Sequence, residues 1–231
     1  KKGLLGIVVD ETTISHVVPE LSALTYRGYK VQDLCDKCDF EEVAYLVLHG
    51  ELPSKSQLKK FIKEERSSRK LSKTIIKNIQ QMPKNAHPMD VIRTCVSLMA
   101  LEDKDTKDNS PRANMRKALK IFSQTPTAVA AYFRARKGKK IITPNKKLSF
   151  SENFFKMMFS KVPDKEIVRA FDISLILYAE HSFNVSTFTA RTITSSLSDL
   201  HGAITGAIAS LKGPLHGGAN EAVMHMMKEI G

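Results

Sequence analysis

Residues 39–53, DFEEVAYLVLHGELP, carry a complete helix signal with both ends marked. Asp39 stands where a helix cap is wanted, and Glu42, three residues on, completes the capping-box spacing. Phe40, Val43, Ala44, Val47 and Leu48 recur at helical spacing and make one apolar face. Gly50 follows directly and stops the helix. The same grammar repeats down the chain. Ser54 and Gln57 restart it, with Leu58, Phe61 and Ile62 as the buried face. Ile75, Ile76 and Ile79 mark a third helix, and HPMDVIRTCVSLMAL (87–101) a fourth, with Pro88 suited to its first turn. EDKDTKDNSPR (102–112) reads as a charged, exposed connection, followed by two helices at 112–123 and 126–137. After a basic loop, Pro163-Asp164 opens a long helix whose face holds Ile167, Phe171, Leu175 and Tyr178. Strand signals are confined to residues 3–29: GIVVD, TISHVV and ALTYRG, read as a short antiparallel meander ending in the Tyr26-Arg27-Gly28 turn. The predicted fold class is all-α with a short N-terminal antiparallel β meander.

Composition narrows the function classes. The 231 residues are 42% hydrophobic and 26% charged, enough for one large domain with a true core. The longest apolar run, ISLILYA (173–179), is far too short to span a bilayer, so a soluble protein is expected. Three cysteines make no disulfide framework. Cys35 and Cys38 have the spacing of half a zinc site, but no second pair matches them, and they read as thiols of an ordinary helix. The net charge of +12 is densest in RARKGKKIITPNKK (134–147), which has few aromatic residues around it. A solvated face is the leading reading, with a phosphate-binding face second.

Chemistry concentrates in the last quarter. In AEHSFNVSTFTAR (179–191), His181, Asn184, Ser186 and Thr187 interrupt an apolar pattern with polar groups. GAITGAIAS places Gly202, Gly206 and Ser210 four apart, a stripe that lets another helix approach closely. GPLHGGANE (213–221) sets His216 between a proline and a glycine pair, with a new helical pattern starting at Asn220-Glu221. The positive end of a helix disfavours imidazolium. A neutral ring there can donate a hydrogen bond to an oxyanion or enolate as it develops.

GPLHGGANE together with AEHSFNVSTFTAR resembles the citrate synthase family. TYRGYKVQDL (25–34), FEEVAYL (40–46), HGELP (49–53) and HPMDVIRT (87–94) are similar to the same family in the same order. The likeness runs from Gly3 to Glu221. It points to the dimeric bacterial-type branch that includes 2-methylcitrate synthases, toward which DLCDKCDFEEVAYL and LILYAEHSFN lean. The resemblance implies condensation of an acyl-CoA, acetyl-CoA or propionyl-CoA, with oxaloacetate, followed by thioester hydrolysis. It implies a homodimer in the cytoplasm (the mitochondrial matrix in a eukaryote), with no tightly bound cofactor, no metal, no nucleic acid and no membrane partner. His216 becomes the neutral His that hydrogen-bonds the thioester oxygen. His181 becomes an oxaloacetate ligand, Asn184 a support in that pocket, and Ser186 the residue that orients the ring of His216. The large helical domain is expected over 1–215 and the start of a small domain over 216–231.

Two departures from the family pattern stand out. Ser182 occupies the position where the family usually has Glu. The family's second catalytic His, its proton-abstracting Asp and its oxaloacetate-gripping arginines lie C-terminal to GPLHGGANE, so these 231 residues alone are expected not to complete the reaction. The alternative reading is a non-catalytic family relative acting as a basic binding or scaffold protein.

Overall fold

The computed structural model describes residues 6–8, 10–21 and 23–230, and among them the chain forms eleven α-helices and one three-stranded sheet. It divides into two compact units, residues 1–58 with 170–182, and residues 59–169 with 183–231.

The first unit contains the sheet. Strands β1 (Ser15–Val18), β2 (Ala23–Tyr26) and β3 (Tyr29–Lys30) pair antiparallel in sequence order, with Ser15 opposite Tyr26 and Tyr26 opposite Tyr29. A short 3-10 turn, Pro19–Leu21, joins the first two. The meander is therefore displaced from the expected one. Residues 6–8 and 10 of GIVVD are not a strand, Leu4, Leu5 and Val9 lie outside the described residues, and a third strand follows the turn. Arg27 and Gly28 have φ of 50° and 87°, so both central residues of this two-residue loop are left-handed. That backbone twist matches the twist of a hairpin, which is why the chain turns back instead of ending there.

Helices α1 (Val31–Lys37) and α2 (Phe40–His49) complete the N-terminal part of this unit. The Asp39 N–H donates to the Glu42 carboxylate at 2.9 Å, and Gly50 takes φ of 96° with its N–H on the Leu46 carbonyl at 2.8 Å. Both ends of the stretch 39–53 fold as their residues direct. α8 (Lys165–Leu177) returns the chain to this unit, where Asp172 accepts the Phe40 N–H at 2.8 Å and Ile176 is wholly buried. The fully buried Tyr26 hydroxyl donates to the Ile176 carbonyl at 2.8 Å, and burial pushes its pKa to about 12. The face expected of α8 is corrected in part: Ile167 and Tyr178 are exposed, and Asp172 and Ile176 are the buried positions. None of the three cysteines forms a disulfide; Cys35 is on α1 and Cys38 directly follows it.

The second unit is built on α3 (Lys55–Ser68), α4 (Lys73–Gln81), α5 (Pro88–Leu101), α6 (Pro111–Arg136) and α7 (Phe150–Phe159). Ile75, Ile79, Val91, Cys95, Val96 and Met99 lie in one buried cluster with Ile121, Ala128 and Tyr132. Each large aliphatic side chain buried this way contributes about 1.5–3 kcal/mol. Glu65 and Arg69 are buried as a pair, with Arg69 Nη2 2.7 Å from the carboxylate. The other terminal nitrogen of Arg69 donates to the carbonyls of Asn145 and Leu148 at 3.0 and 2.9 Å, fixing the basic loop.

Two expectations are overturned here. The helices expected at 112–123 and 126–137 are one helix of 26 residues with Pro126 inside it. A proline in a helix interior costs about 3 kcal/mol because it cannot donate to the carbonyl four residues back. Contacts on both sides of it offset that cost: Gln124 donates to the Lys70 carbonyl at 2.9 Å, and Thr127 to the Arg69 carbonyl at 2.8 Å. Second, α7 was hidden in what reads as a basic loop. Ser149 and Glu152 form its capping box, with bonds of 3.2 and 2.8 Å. The basic run is also not one solvated face. Arg134 is buried and donates to the Met158 carbonyl and the Ser160 hydroxyl at 3.1 and 3.0 Å.

The connector 102–110 is likewise more ordered than its composition suggests. The fully buried Lys117 ammonium donates to the carbonyls of Thr106, at 3.0 Å, and Asp108. Arg116 bridges Asp103 and Asp105 at 3.3 and 3.0 Å. No helix among the described residues is long and apolar enough to cross a membrane.

Candidate active site

Three helices position the site in the second unit: α9 (Val185–Thr194), α10 (Leu200–Leu211) and α11 (Gly218–Ile230). Asn184 caps α9 by accepting the Thr187 N–H at 2.8 Å, and Asp199 caps α10 by accepting the Gly202 N–H at 3.0 Å. α10 packs on both α9 and α5. Its small-residue stripe permits this at Gly206, where a Cβ would stand 2.2 Å from the Ile193 Cδ1 on α9.

The turn between α10 and α11 carries His216. Its N–H donates to the Gly213 carbonyl at 3.0 Å, and the Gly218 N–H donates to the same oxygen at 3.1 Å. One carbonyl thus gathers both ends of the turn. The glycine pair after His216 answers to space and not to backbone handedness, since neither residue has a positive φ. A Cβ on Gly217 would stand 2.4 Å from the Leu211 carbonyl oxygen, and one on Gly218 would stand 3.0 Å from that of Gly213. The chain's own backbone fills the room beside both glycines.

His216 Nε2 lies 2.8 Å from the Ser186 hydroxyl, which is also 3.1 Å from the Ala207 carbonyl. Ser186 is in the first turn of α9, and His216 is two residues before α11. The N-termini of two helices therefore converge on one imidazole, and both present partial positive charge. This arrangement favours a negative charge developing on a bound oxygen nearby. The Ala207 carbonyl can only accept, whereas Nε2 donates or accepts according to the ring's tautomer, so the hydroxyl holds the orientation of the ring in either case.

Of the residues singled out in the sequence, the structure joins Ser186 directly to His216 and places Asn184 at the start of the helix that carries Ser186. His181 belongs to the first unit, where it is exposed in the bend that follows α8. Glu180 holds that bend: its Oε1 accepts the Ser182 N–H at 2.6 Å and the Ser15 hydroxyl at 3.1 Å. Ser182 has φ of 72°, so the residue that departs from the family pattern sits in a left-handed position. Sequence reading missed Glu180, and also the His87–Glu221 contact (3.5 Å) and the Lys212–Asp90 ion pair (2.6 Å) beside the His216 turn. The capping spacing of Asn184 and Thr187 was the local signal available; these two contacts, which join distant residues, left none. His201 is fully buried between Asp103 and Asp199, and burial holds its pKa below the usual value. Among the described residues, no group of three or more His, Cys, Asp or Glu side chains is placed to hold a metal ion.

Comparison with known proteins bears on the fold and the family. The family model described as "Citrate synthase, C-terminal domain" matches residues 3–231. The chain is 52% identical over 230 residues to a citrate synthase of Mycolicibacterium smegmatis, an alignment covering 100% of this chain and 61% of the relative. It is 51% identical over 231 residues to a 2-methylcitrate synthase of Mycobacterium tuberculosis, covering 100% of this chain and 58% of the relative. Among solved structures, a citrate synthase of the archaeon Thermoplasma acidophilum, in ternary complex with carboxymethyl coenzyme A and oxaloacetate, superimposes with a TM-score of 0.91. It is 29% identical, and the match covers 97% of this chain and 59% of that one. The chain thus spans about three fifths of the length of these relatives. With a family model matched from residue 3 to residue 231 and a helical fold shared with a solved member, this chain belongs to the citrate synthase family.

Proposed function

We propose that the protein condenses an acyl-CoA with oxaloacetate and hydrolyses the resulting thioester, with His216 as the residue that stabilises the enolate. The observation that carries this reading is the Ser186–His216 contact of 2.8 Å at the meeting of two helix N-termini. The α-proton of a thioester is too weakly acidic to leave unaided. Negative charge must be taken up on the thioester oxygen while a carboxylate base, expected C-terminal to these residues, removes the proton. In this reading the neutral ring carries its proton on Nδ1, with Ser186 donating to Nε2, and that N–H bonds the oxygen. The enolate carbon attacks the ketone of oxaloacetate, forming the carbon–carbon bond, and water cleaves the thioester to release CoA. His181 binds oxaloacetate through a ring nitrogen. Asn184 supports it through the amide N–H2, its oxygen being taken by the cap of α9.

Residues 1–215 form the large domain in this reading, and 216–231 begin the small one. A homodimer in the cytoplasm is the working assembly. Propionyl-CoA is the favoured substrate over acetyl-CoA. Relatives named for the two activities match at 51% and 52%, and one methylene is worth only about 1–3 kcal/mol in an apolar pocket, so discrimination falls to the acyl pocket. Relative kcat/KM for the two thioesters decides this, and a strong preference for acetyl-CoA overturns it. For the mechanism, His216→Ala in the full-length protein should leave folding intact and lower kcat by at least roughly a hundredfold. Near-normal turnover removes His216 from the role.

A further inference from the structure

The turn that carries His216 has no buried residue of its own. Pro214 and Leu215 are exposed, Leu215 completely, and Gly213, His216 and Gly217 are half-buried. Apolar packing therefore does not fix its position. Both of its flanks instead meet the start of α5. Lys212, which directly precedes the turn, meets the Asp90 carboxylate at 2.6 Å. Glu221, in the first turn of α11, meets His87 Nε2 at 3.5 Å, while His87 Nδ1 caps α5 by accepting the Met89 N–H at 3.2 Å. The two anchors are three residues apart at the start of α5, and the two flanks they meet are nine residues apart across the turn. Asp90 is braced in its turn by Arg93, 3.1 Å from its other oxygen.

We propose that Asp90 is a positioning residue for His216: its ion pair with Lys212 is a clamp from the first turn of α5 that holds the turn in register with Ser186. The proposal rests on the reading of His216 as the enolate-stabilising group. A clamp of this kind acts on the chemical step and not on substrate affinity, because it sets where the imidazole stands. A shift of an ångström in a reacting group costs up to about a hundredfold. Losing a solvent-reachable clamp should cost less, because the Ser186 contact remains.

The test is a double-mutant cycle in the full-length protein with Asp90→Asn, Lys212→Met and the pair, read by kcat, by KM for oxaloacetate and by the 15N shifts of the His216 ring. Each single variant should lower kcat by roughly three- to tenfold and leave KM within about twofold. The double variant should be no worse than the poorer single one. Lys212→Met controls for the loss of the Arg93 contact that Asp90→Asn also causes. The ring shifts should move in both single variants if the clamp sets the imidazole. Unchanged kcat and unchanged shifts overturn the clamp, and so do fully additive losses. Shifted resonances with unchanged kcat overturn the positioning role while leaving the contact real. His216→Ala, assayed in parallel, separates these from failure of the underlying reading: if that variant turns over normally, His216 is not catalytic and the proposal falls with it.

Discussion

Replacing Gly217 by Ala adds one methyl group, and its consequences can be worked out from the structure. The new Cβ would lie 2.4 Å from the Leu211 carbonyl oxygen, with the Leu211 Cδ1 and Cγ at 2.6 and 2.9 Å. Carbon–oxygen contacts settle near 3.3–3.6 Å, so the overlap is about 1 Å, and it is against backbone. Rotation of a side chain cannot relieve it; the turn has to open. Overpacking of this size costs typically 1–3 kcal/mol, or a fall in Tm of roughly 2–12 °C for a protein of this length. The residue directly before the clash is His216, so the displaced turn takes the imidazole away from Ser186. A misplacement near 1 Å lowers kcat by up to about a hundredfold. Gly206→Ala is the matched control. Its Cβ would come even closer, 2.2 Å, but to the terminal methyl of Ile193, which can swing aside, and the next contact is an ordinary 3.6 Å. That variant should melt slightly lower and keep its kcat. Thermal melts and steady-state kinetics of both variants in the full-length protein check the pair. If Gly217→Ala turns over like the parent, or Gly206→Ala loses more kcat than Gly217→Ala, the reasoning from backbone proximity is wrong.

Other expectations are as direct. Ser186→Ala removes the hydroxyl that holds the His216 ring, so kcat should fall roughly ten- to hundredfold with little change in KM, as measured by initial rates. Arg69→Met leaves the Glu65 carboxylate buried without its partner and should cost about 3–5 kcal/mol at neutral pH in urea melts. Burial already lifts the Glu65 pKa above the usual carboxylate value, with the Arg69 hydrogen bond and charge opposing. A raised carboxylate pKa means that folding disfavours the ionised form. The penalty therefore applies above the folded pKa and eases as pH falls through it. The gap between variant and parent should narrow from pH 7 to pH 5, and a constant gap would refute the account.

What the sequence made legible was local. The stretch 39–53 announces its helix because the capping residues, the apolar face and the stopping glycine lie within a dozen positions, and each acts over one or two turns. The same holds for Ser54 with Gln57, whose capping bond is 2.8 Å, and for Pro88 at the start of α5. Pro126 misled because the contacts that carry α6 through it come from Arg69 and Lys70, more than fifty residues away. α7 was missed although Ser149 and Glu152 spelled its start; the lysines before it drew the reading toward a loop. At the site, Ser186 and His216 meet across thirty positions, and no spacing rule within either segment announces that contact. The ties of Lys212 and Glu221 to α5 span 122 and 134 positions, and no spacing rule reaches that far.

Lys117 changes what the 102–110 connector is. By composition the segment belongs among linkers, the places where proteins ordinarily accept insertions and protease nicks. Here its carbonyls wrap an ammonium group that the protein supplies itself, much as a calcium loop wraps its ion, except that this cation is covalently tethered and cannot be chelated away. Lengthening the loop would pull those carbonyls off a charge with no access to water. A stretch that looks expendable in the sequence is thereby among the parts of the chain least able to change length.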